Sequence, residues 1–311
     1  MLRDETLSIG ELAARTGATV KTVRYYSDRG LLPETVRSTG GHRRYAPEAV
    51  ERLRRVRSLR ALGLSLPEVS RLLAHPEEDF DGALEGAAAR KLGDLGTELT
   101  ALRWREAALR LLHESPPELR AERLLLVGGL EVPPDTTDLA RFWRRLLPPG
   151  IPRRLLDVVV EAAVVRPPAD PTPQHVLDQA ELHTLATRGR LSVDLCVPFS
   201  ATHPHYRTDA LYEGLAEAVP LTSAHLRAGR PPHEGDALDC FVAAHARARG
   251  ARDTLAFRRD LSRHLARTAD PVIERYWQLA SRLAPADEPT PGAVDDWHRA
   301  ALDGQLARTD A

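Results

Sequence analysis

Basic and aromatic side chains crowd the early part of this chain in a pattern suited to one kind of chemistry. Lys21, Thr22, Arg24, Tyr25 and Tyr26 fall together in VKTVRYYSD. An arginine on an exposed helix can read a guanine edge with two hydrogen bonds or clamp a phosphate, and a tyrosine hydroxyl can reach a phosphate oxygen. The stretch RSTGGHRRYA (37–46) then sets Arg37, His42, Arg43 and Tyr45 around a Gly-Gly turn, giving basic and aromatic arms able to grip a duplex backbone. Other chemistries have thinner support. In HPHY (203–206), His203 and His205 can ligate a metal, yet no carboxylate pair or cysteine stands at a diagnostic spacing. Cys196 and Cys240 lie far apart and build neither a disulfide framework nor a thiolate cage. DTTD (135–138) and VDDW (294–297) cluster carboxylates where Asp and Thr ordinarily cap helices. No phosphate loop, nucleophile elbow, zinc motif or Ser-x-x-Lys motif is present. The expectation is a binding protein with no catalytic residues, cofactor or metal.

Charge points the same way. The 311 residues carry 43 Lys and Arg, 44 Asp and Glu, and a net charge of −1. That balance is uneven along the chain. Residues 1–75 hold 14 basic against 8 acidic side chains, a net of +6, and residues 76–311 hold 29 against 36, a net of −7. A basic head on an acidic body suits a nucleic-acid-binding module joined to something else. Hydrophobic residues make up 42% and charged residues 28%, an ordinary globular composition. No apolar run approaches the ~20 residues of a membrane span. With no apolar signal core near the start, the expected location is the cytoplasm.

Short helices must position the basic residues. Ser8 and Glu11 form a capping box that opens a helix over roughly 8–15, and Gly17 closes it. A second helix is predicted from Val20 to Arg29, stopping at Gly30. Helix, tight turn, helix puts the second helix where it can enter a major groove. A two-stranded ribbon over 37–46 follows, then a helix between Pro47 and Gly63 and a short one from Pro67. Residues 79–114 lack proline and place Leu92, Leu95, Leu99, Leu102 and Leu109 on a 3-4 alternation. That is the period of a coiled coil, the alternative being an amphipathic helix packed on its own domain. Gly82, Gly86, Gly93 and Gly96 are expected to bend or fray its first half.

These motifs carry a resemblance. VRYYSDRGLLP, the GGHRRY turn and LRALGLSLPEV, within residues 7–75, resemble the DNA-binding domain of the MerR family of transcriptional regulators. The resemblance covers about a third of the chain once the long helix is included. It implies a winged helix-turn-helix, and it aligns Arg60 with a position that contacts phosphate. It further implies a homodimer through an antiparallel coiled coil, bound to a pseudo-palindromic promoter with an over-long spacer. Effector binding would then kink and untwist the DNA and realign the promoter for RNA polymerase. Two departures bear on operator preference: His42 stands where the family commonly has tyrosine, and Ser27 where it often has glutamate.

Beyond Pro116-Pro117 the chain reads as about nine amphipathic helices, with one strand hinted at 192–199. It does not resemble the compact β-rich multidrug-binding fold, and metal-sensing relatives place cysteines just after the dimer helix, where LLHESPPELR has none. A helical domain opens apolar sites between its helices, which favours an organic small-molecule effector. Aromatics are only 5% of the chain, so the pairs Phe142-Trp143 and Tyr276-Trp277 stand out. Neighbours on a helix point about 100° apart, so one of each pair can pack while the other faces a cavity. Trp143, His203, His205, Tyr206, Tyr212 and Trp277 are the candidate effector contacts. The expected architecture is dominated by α-helix: a winged helix-turn-helix (1–76), a dimerisation helix (77–115) and a helical effector domain (116–311). Alternatives are a ligand-independent repressor or architectural protein, or a metal-responsive or catalytic second domain.

Overall fold

Ser8 starts the first helix by closing a reciprocal pair of hydrogen bonds. Its hydroxyl accepts the Glu11 amide at 3.2 Å while the Glu11 carboxylate accepts the Ser8 amide at 2.7 Å. The helix α1 (Ile9–Thr16) ends at Gly17, whose φ of +63° lies in the left-handed region that only glycine enters freely. Thr19 then caps α2 (Val20–Asp28) by accepting the Thr22 amide at 3.1 Å. Both helices lie within a residue of their predicted bounds. The computed structural model describes residues 6–38, 40–148, 150–189 and 206–309, and the chain divides into two compact units, 1–98 and 99–311.

In the first unit, strands β1 (Leu7–Ser8), β2 (Val36–Arg37) and β3 (Arg43–Tyr45) form an antiparallel sheet ordered β1-β3-β2. The sequence predicts two of these strands. The third, β1, sets Leu7 opposite Tyr45 and gives the hairpin the extra strand that a two-stranded ribbon lacks. Helices α3 (Ala49–Ala61) and α4 (Leu66–Leu72) complete the head, with Ser65 and Glu68 repeating the capping box. Leu12, Val23, Leu32, Tyr45 and Leu53 make one core cluster and Leu31, Val56, Leu59, Val69 and Leu72 a second. Tyr26 packs against both.

Helix α5 (Glu77–Glu114) runs 38 residues. The four glycines expected to weaken its first half do not interrupt it. One face is apolar and covered: Ala101, Trp104, Ala107 and Leu111 are buried, and the Trp104 indole donates to the Pro168 carbonyl at 3.1 Å.

Among the described residues the second unit has nine helices after α5. They are α6 (Pro117–Val127), α7 (Thr137–Leu146), α8 (Arg153–Ala163), α9 (Pro173–Arg188), α10 (Thr208–Arg227), α11 (Asp236–Arg249), α12 (Leu255–Arg267), α13 (Pro271–Leu283) and α14 (Pro291–Thr309). The strand predicted at 192–199 lies outside the described residues. Helix α10 continues through Pro220, although a proline removes one backbone donor and ordinarily ends a helix. Ala218, Thr222 and Ser223 are buried around it, so packing outweighs the local cost. The core has two main parts. Leu139, Phe142, Trp143, Leu182, Tyr276 and Leu279 join α7, α8, α9 and α13, while Leu238, Phe241, Leu261, Trp297 and Leu302 join α10, α11, α12 and α14.

One charge is buried by design. Asp178 is 0% exposed and receives Arg282 in a two-pronged pair, Nε to Oδ2 at 3.0 Å and NH2 to Oδ1 at 2.8 Å. Gln174 adds a third donor at 2.8 Å. Arg282→Ala leaves this carboxylate short of its counter-charge, and the expected loss is about 2–3 kcal/mol, reduced from the fully buried case because Arg282 is half exposed. Urea unfolding of the variant checks this; an unchanged midpoint would show that Asp178 is satisfied without Arg282.

Candidate functional site

The exposed face of α2 follows from its packing. Val23 is buried and Tyr26 leans on the core, which turns Lys21, Arg24, Tyr25 and Asp28 outward on the 3-4 spacing of one helix face. No described residue pairs with Lys21 or Arg24, so both cations stand ready for an anion. Thr22 is half-buried and its hydroxyl lies 2.8 Å from that of Thr19. Tyr25 is exposed with the Arg29 guanidinium 5.3 Å from its ring centre, and its ring sits 5.5 Å from that of Tyr26. Tyr26 therefore belongs to the core as much as to the surface.

The wing carries its residues less uniformly than the sequence suggests. Arg37 and His42 are exposed, with Arg37 paired to Glu34 at 3.2 Å. Arg43 is half-buried and turns back to the helix, meeting Asp28 at 2.6 Å and Glu34 at 3.7 Å. The hydrogen bond to Asp28, with the charges of Asp28 and Glu34, holds the Arg43 guanidinium above its already high pKa. Arg43 thus fastens the wing to α2 and screens the one carboxylate on the exposed face. Tyr45, predicted as a backbone contact, is fully buried opposite Leu7, so it packs the core and is corrected here to a structural residue. Arg60 is exposed, and its guanidinium donates to the Leu64 carbonyl. Arg54 and Arg57, which the sequence reading did not single out, donate to the carbonyls of Arg15 and Thr16 at the helix-turn-helix corner, at 3.4 and 2.5 Å.

Arg24→Ala is expected to weaken binding to a preferred duplex by roughly 1–3 kcal/mol, as the loss of one charge-assisted groove contact does. Electrophoretic mobility at fixed salt reads this directly, and wild-type affinity in the variant would place the groove contact elsewhere.

On α5 the predicted seam is open. Leu92, Leu95, Leu99, Leu102 and Leu109 are all exposed, Leu92 by 70% and Leu109 by 67%.

Of the candidate effector contacts, Trp143, Tyr212 and Trp277 line a common cavity of about 680 Å³ formed by α7, α10, α13 and α14. Their neighbours in sequence, Phe142 and Tyr276, are buried in the core, with the Tyr276 hydroxyl donating to the Ala163 carbonyl at 2.8 Å. Trp277 approaches α14 closely: a Cβ on Gly292 would sit 2.2 Å from its Cγ, so only glycine fits there. Tyr206 is half-buried, its hydroxyl pushed up in pKa by burial, and it is not on this lining. His203 and His205 lie outside the described residues. The carboxylates of the cavity were missed by sequence. VDDW reads as a helix cap, but Thr290 caps α14, accepting the Ala293 amide at 3.2 Å, which leaves Asp295 and Asp296 one turn inside, on the lining. In DTTD the cap position of α7 is Thr136, whose side chain makes no cap bond, while Asp135 one residue earlier accepts the Thr137 amide at 2.9 Å. Among the described residues no group of three or more His, Cys, Asp or Glu is placed to hold a metal ion. No helix among them is long and apolar enough to cross a membrane.

Residues 7–75 match the family described as MerR HTH family regulatory protein. The nodulation protein NolA of Bradyrhizobium sp. (strain NC92) is 48% identical over 65 residues, covering 21% of this chain and 27% of NolA. The HTH-type transcriptional activator TipA of Streptomyces lividans is 43% identical over 72 residues, covering 23% of this chain and 28% of TipA. The chain therefore spans less than a third of the length of either. The mercuric resistance operon regulatory protein of Serratia marcescens is 37% identical over 105 residues, which are 34% of this chain and 73% of that protein. That match is longer than the family match to residues 7–75. With the capped helix pair, the wing and the long helix all in place, the chain belongs to the MerR family of helix-turn-helix regulators.

Proposed function

We propose that this protein is a transcriptional regulator that binds a pseudo-palindromic promoter as a homodimer and answers to an organic small molecule. The observation that carries the reading is the pairing of two exposed surfaces: unpaired Lys21 and Arg24 on α2, and a leucine seam on α5. The first suits phosphate and base edges; the second suits another copy of itself in an antiparallel coiled coil. Residues 1–76 would read DNA, 77–115 dimerise, and 116–311 hold the effector in the cavity bearing Trp143, Tyr212 and Trp277. Binding there would change how the dimer bends and untwists the promoter, which alters its use by RNA polymerase in the cytoplasm. The similarity of the head to the transcriptional activator TipA supports regulation as the role.

A melting-temperature panel of the full chain tests the effector. A ligand that binds only the folded protein stabilises it by mass action. An organic solute that raises the melting temperature and quenches tryptophan fluorescence is the expected result. Stabilisation by a divalent metal alone contradicts it, and no stabiliser at all favours a ligand-independent repressor.

A further inference from the structure

The cavity lined by Trp143, Tyr212 and Trp277 has a charge pattern that its aromatic walls do not explain. Asp270, Glu274, Asp295 and Asp296 lie on the lining against one guanidinium, Arg299. That guanidinium is already committed, with Nε on Asp295 at 2.5 Å and NH1 on the Leu265 carbonyl at 2.7 Å. Asp270 is committed too, accepting the Val272 amide at 2.8 Å as the cap of α13. Glu274 and Asp296 remain, and no described residue pairs with either. Desolvation, and then the neighbouring Asp295 carboxylate, hold the Asp296 acid above the usual carboxylate range, against the opposing pull of Arg299. A positive charge brought into the cavity would offset the repulsion between these carboxylates.

The aromatic walls suit a cation as well. The Trp143 and Trp277 rings are 5.0 Å apart and tilted by 35°. Indole faces carry the strongest aromatic attraction for a cation, and they cover apolar substituents at the same time. The missing Cβ of Gly292 lets Trp277 lie against α14, the helix that carries Asp295 and Asp296. A compact divalent ion is poorly served here, because no three carboxylates or imidazoles among the described residues converge on one point. A cavity of about 680 Å³ matches a small organic molecule.

We infer that this cavity binds an organic cation, its apolar groups packed on Trp277, which the buried Trp143 ring backs, and its positive charge facing Glu274 and Asp296. The inference rests on the organic-effector reading above and names the effector's charge. It is tested on the full chain with tetraphenylphosphonium and benzyltriethylammonium as cations, triphenylphosphine oxide as a neutral probe and tetraphenylborate as an anion. At least one cation is expected to quench tryptophan fluorescence and raise the melting temperature, binding more tightly than the neutral and anionic probes. Glu274→Gln with Asp296→Asn should weaken the cation by about tenfold or more and leave the neutral probe unchanged. Both positions are solvent-accessible, and circular dichroism confirms that the variant keeps its helices. If the neutral or anionic probe binds as tightly as the cations, or the double variant binds cations as the wild type does, the charge assignment is wrong while the organic-effector reading stands. If neither cation binds, the inference fails; the organic-effector reading fails with it only when the wider organic panel also yields no stabiliser.

Discussion

If the chain pairs through the α5 seam as proposed, Leu99→Glu combined with Leu102→Glu is expected to leave it monomeric and to cost about 100-fold or more in affinity for a two-half-site duplex. Both side chains are exposed on α5 in the described chain, so the substitution leaves the protomer's own core intact. In the dimer each glutamate would sit on an apolar seam, where an unpaired carboxylate loses hydration without a partner. DNA affinity falls with it because the second head no longer binds as part of the same particle. Sedimentation equilibrium and mobility shift together read the result. A variant that sediments as a dimer would move the interface off this seam, and a monomer with undiminished affinity would remove the need for two heads.

Acid should weaken the helical unit through two buried imidazoles. His298 is 1% exposed, stacks on Phe241 at 4.3 Å and shares a 2.6 Å hydrogen bond with Thr222, and burial pushes its pKa down to about 4. His245 is buried beside the same Phe241 ring. Burial first, then the charges of Arg249, His264, His298 and Arg299, push it down to about 3. Both are neutral in the folded chain and take up protons near pH 6.5 once unfolded. Stability is thus complete above pH 6.5 and drains away as pH falls towards 4, by of order 3 kcal/mol for His298. Urea unfolding followed by tryptophan fluorescence at pH 7.5, 6, 5 and 4.5 should show the midpoint constant above 6.5 and declining below it. A midpoint that holds to pH 4.5 would mean that neither imidazole is buried neutral.

The head was legible because its signals are local. Ser8 with Glu11 marks the start of α1, and Gly17 marks its end, within four residues. Strand β1 escaped because two residues carry no alternation, and Tyr45 was misplaced because its neighbour Leu7 is far along the chain. The second unit shows the same divide. Its helices follow from amphipathic spacing, and the packing of Phe142 and Tyr276 beside cavity-facing Trp143 and Trp277 follows from the 100° step of a helix. The convergence of residues 143, 212, 277 and 296 on one cavity is a tertiary fact with no local trace. Asp295 and Asp296 read as caps only until Thr290 is seen to hold that place.

The most direct test of a two-headed DNA reader is the sequence and stoichiometry it selects. The purified full chain is incubated with random-sequence duplexes, the bound fraction is amplified and sequenced, and the enriched duplex is footprinted and its complex sized by sedimentation. An inverted repeat, two protected half-sites related by a two-fold axis and two protomers per duplex are expected, all lost in the Leu99→Glu, Leu102→Glu variant. Enrichment of a single unrepeated site bound by one protomer, or no enrichment at all, would contradict the two-headed reading.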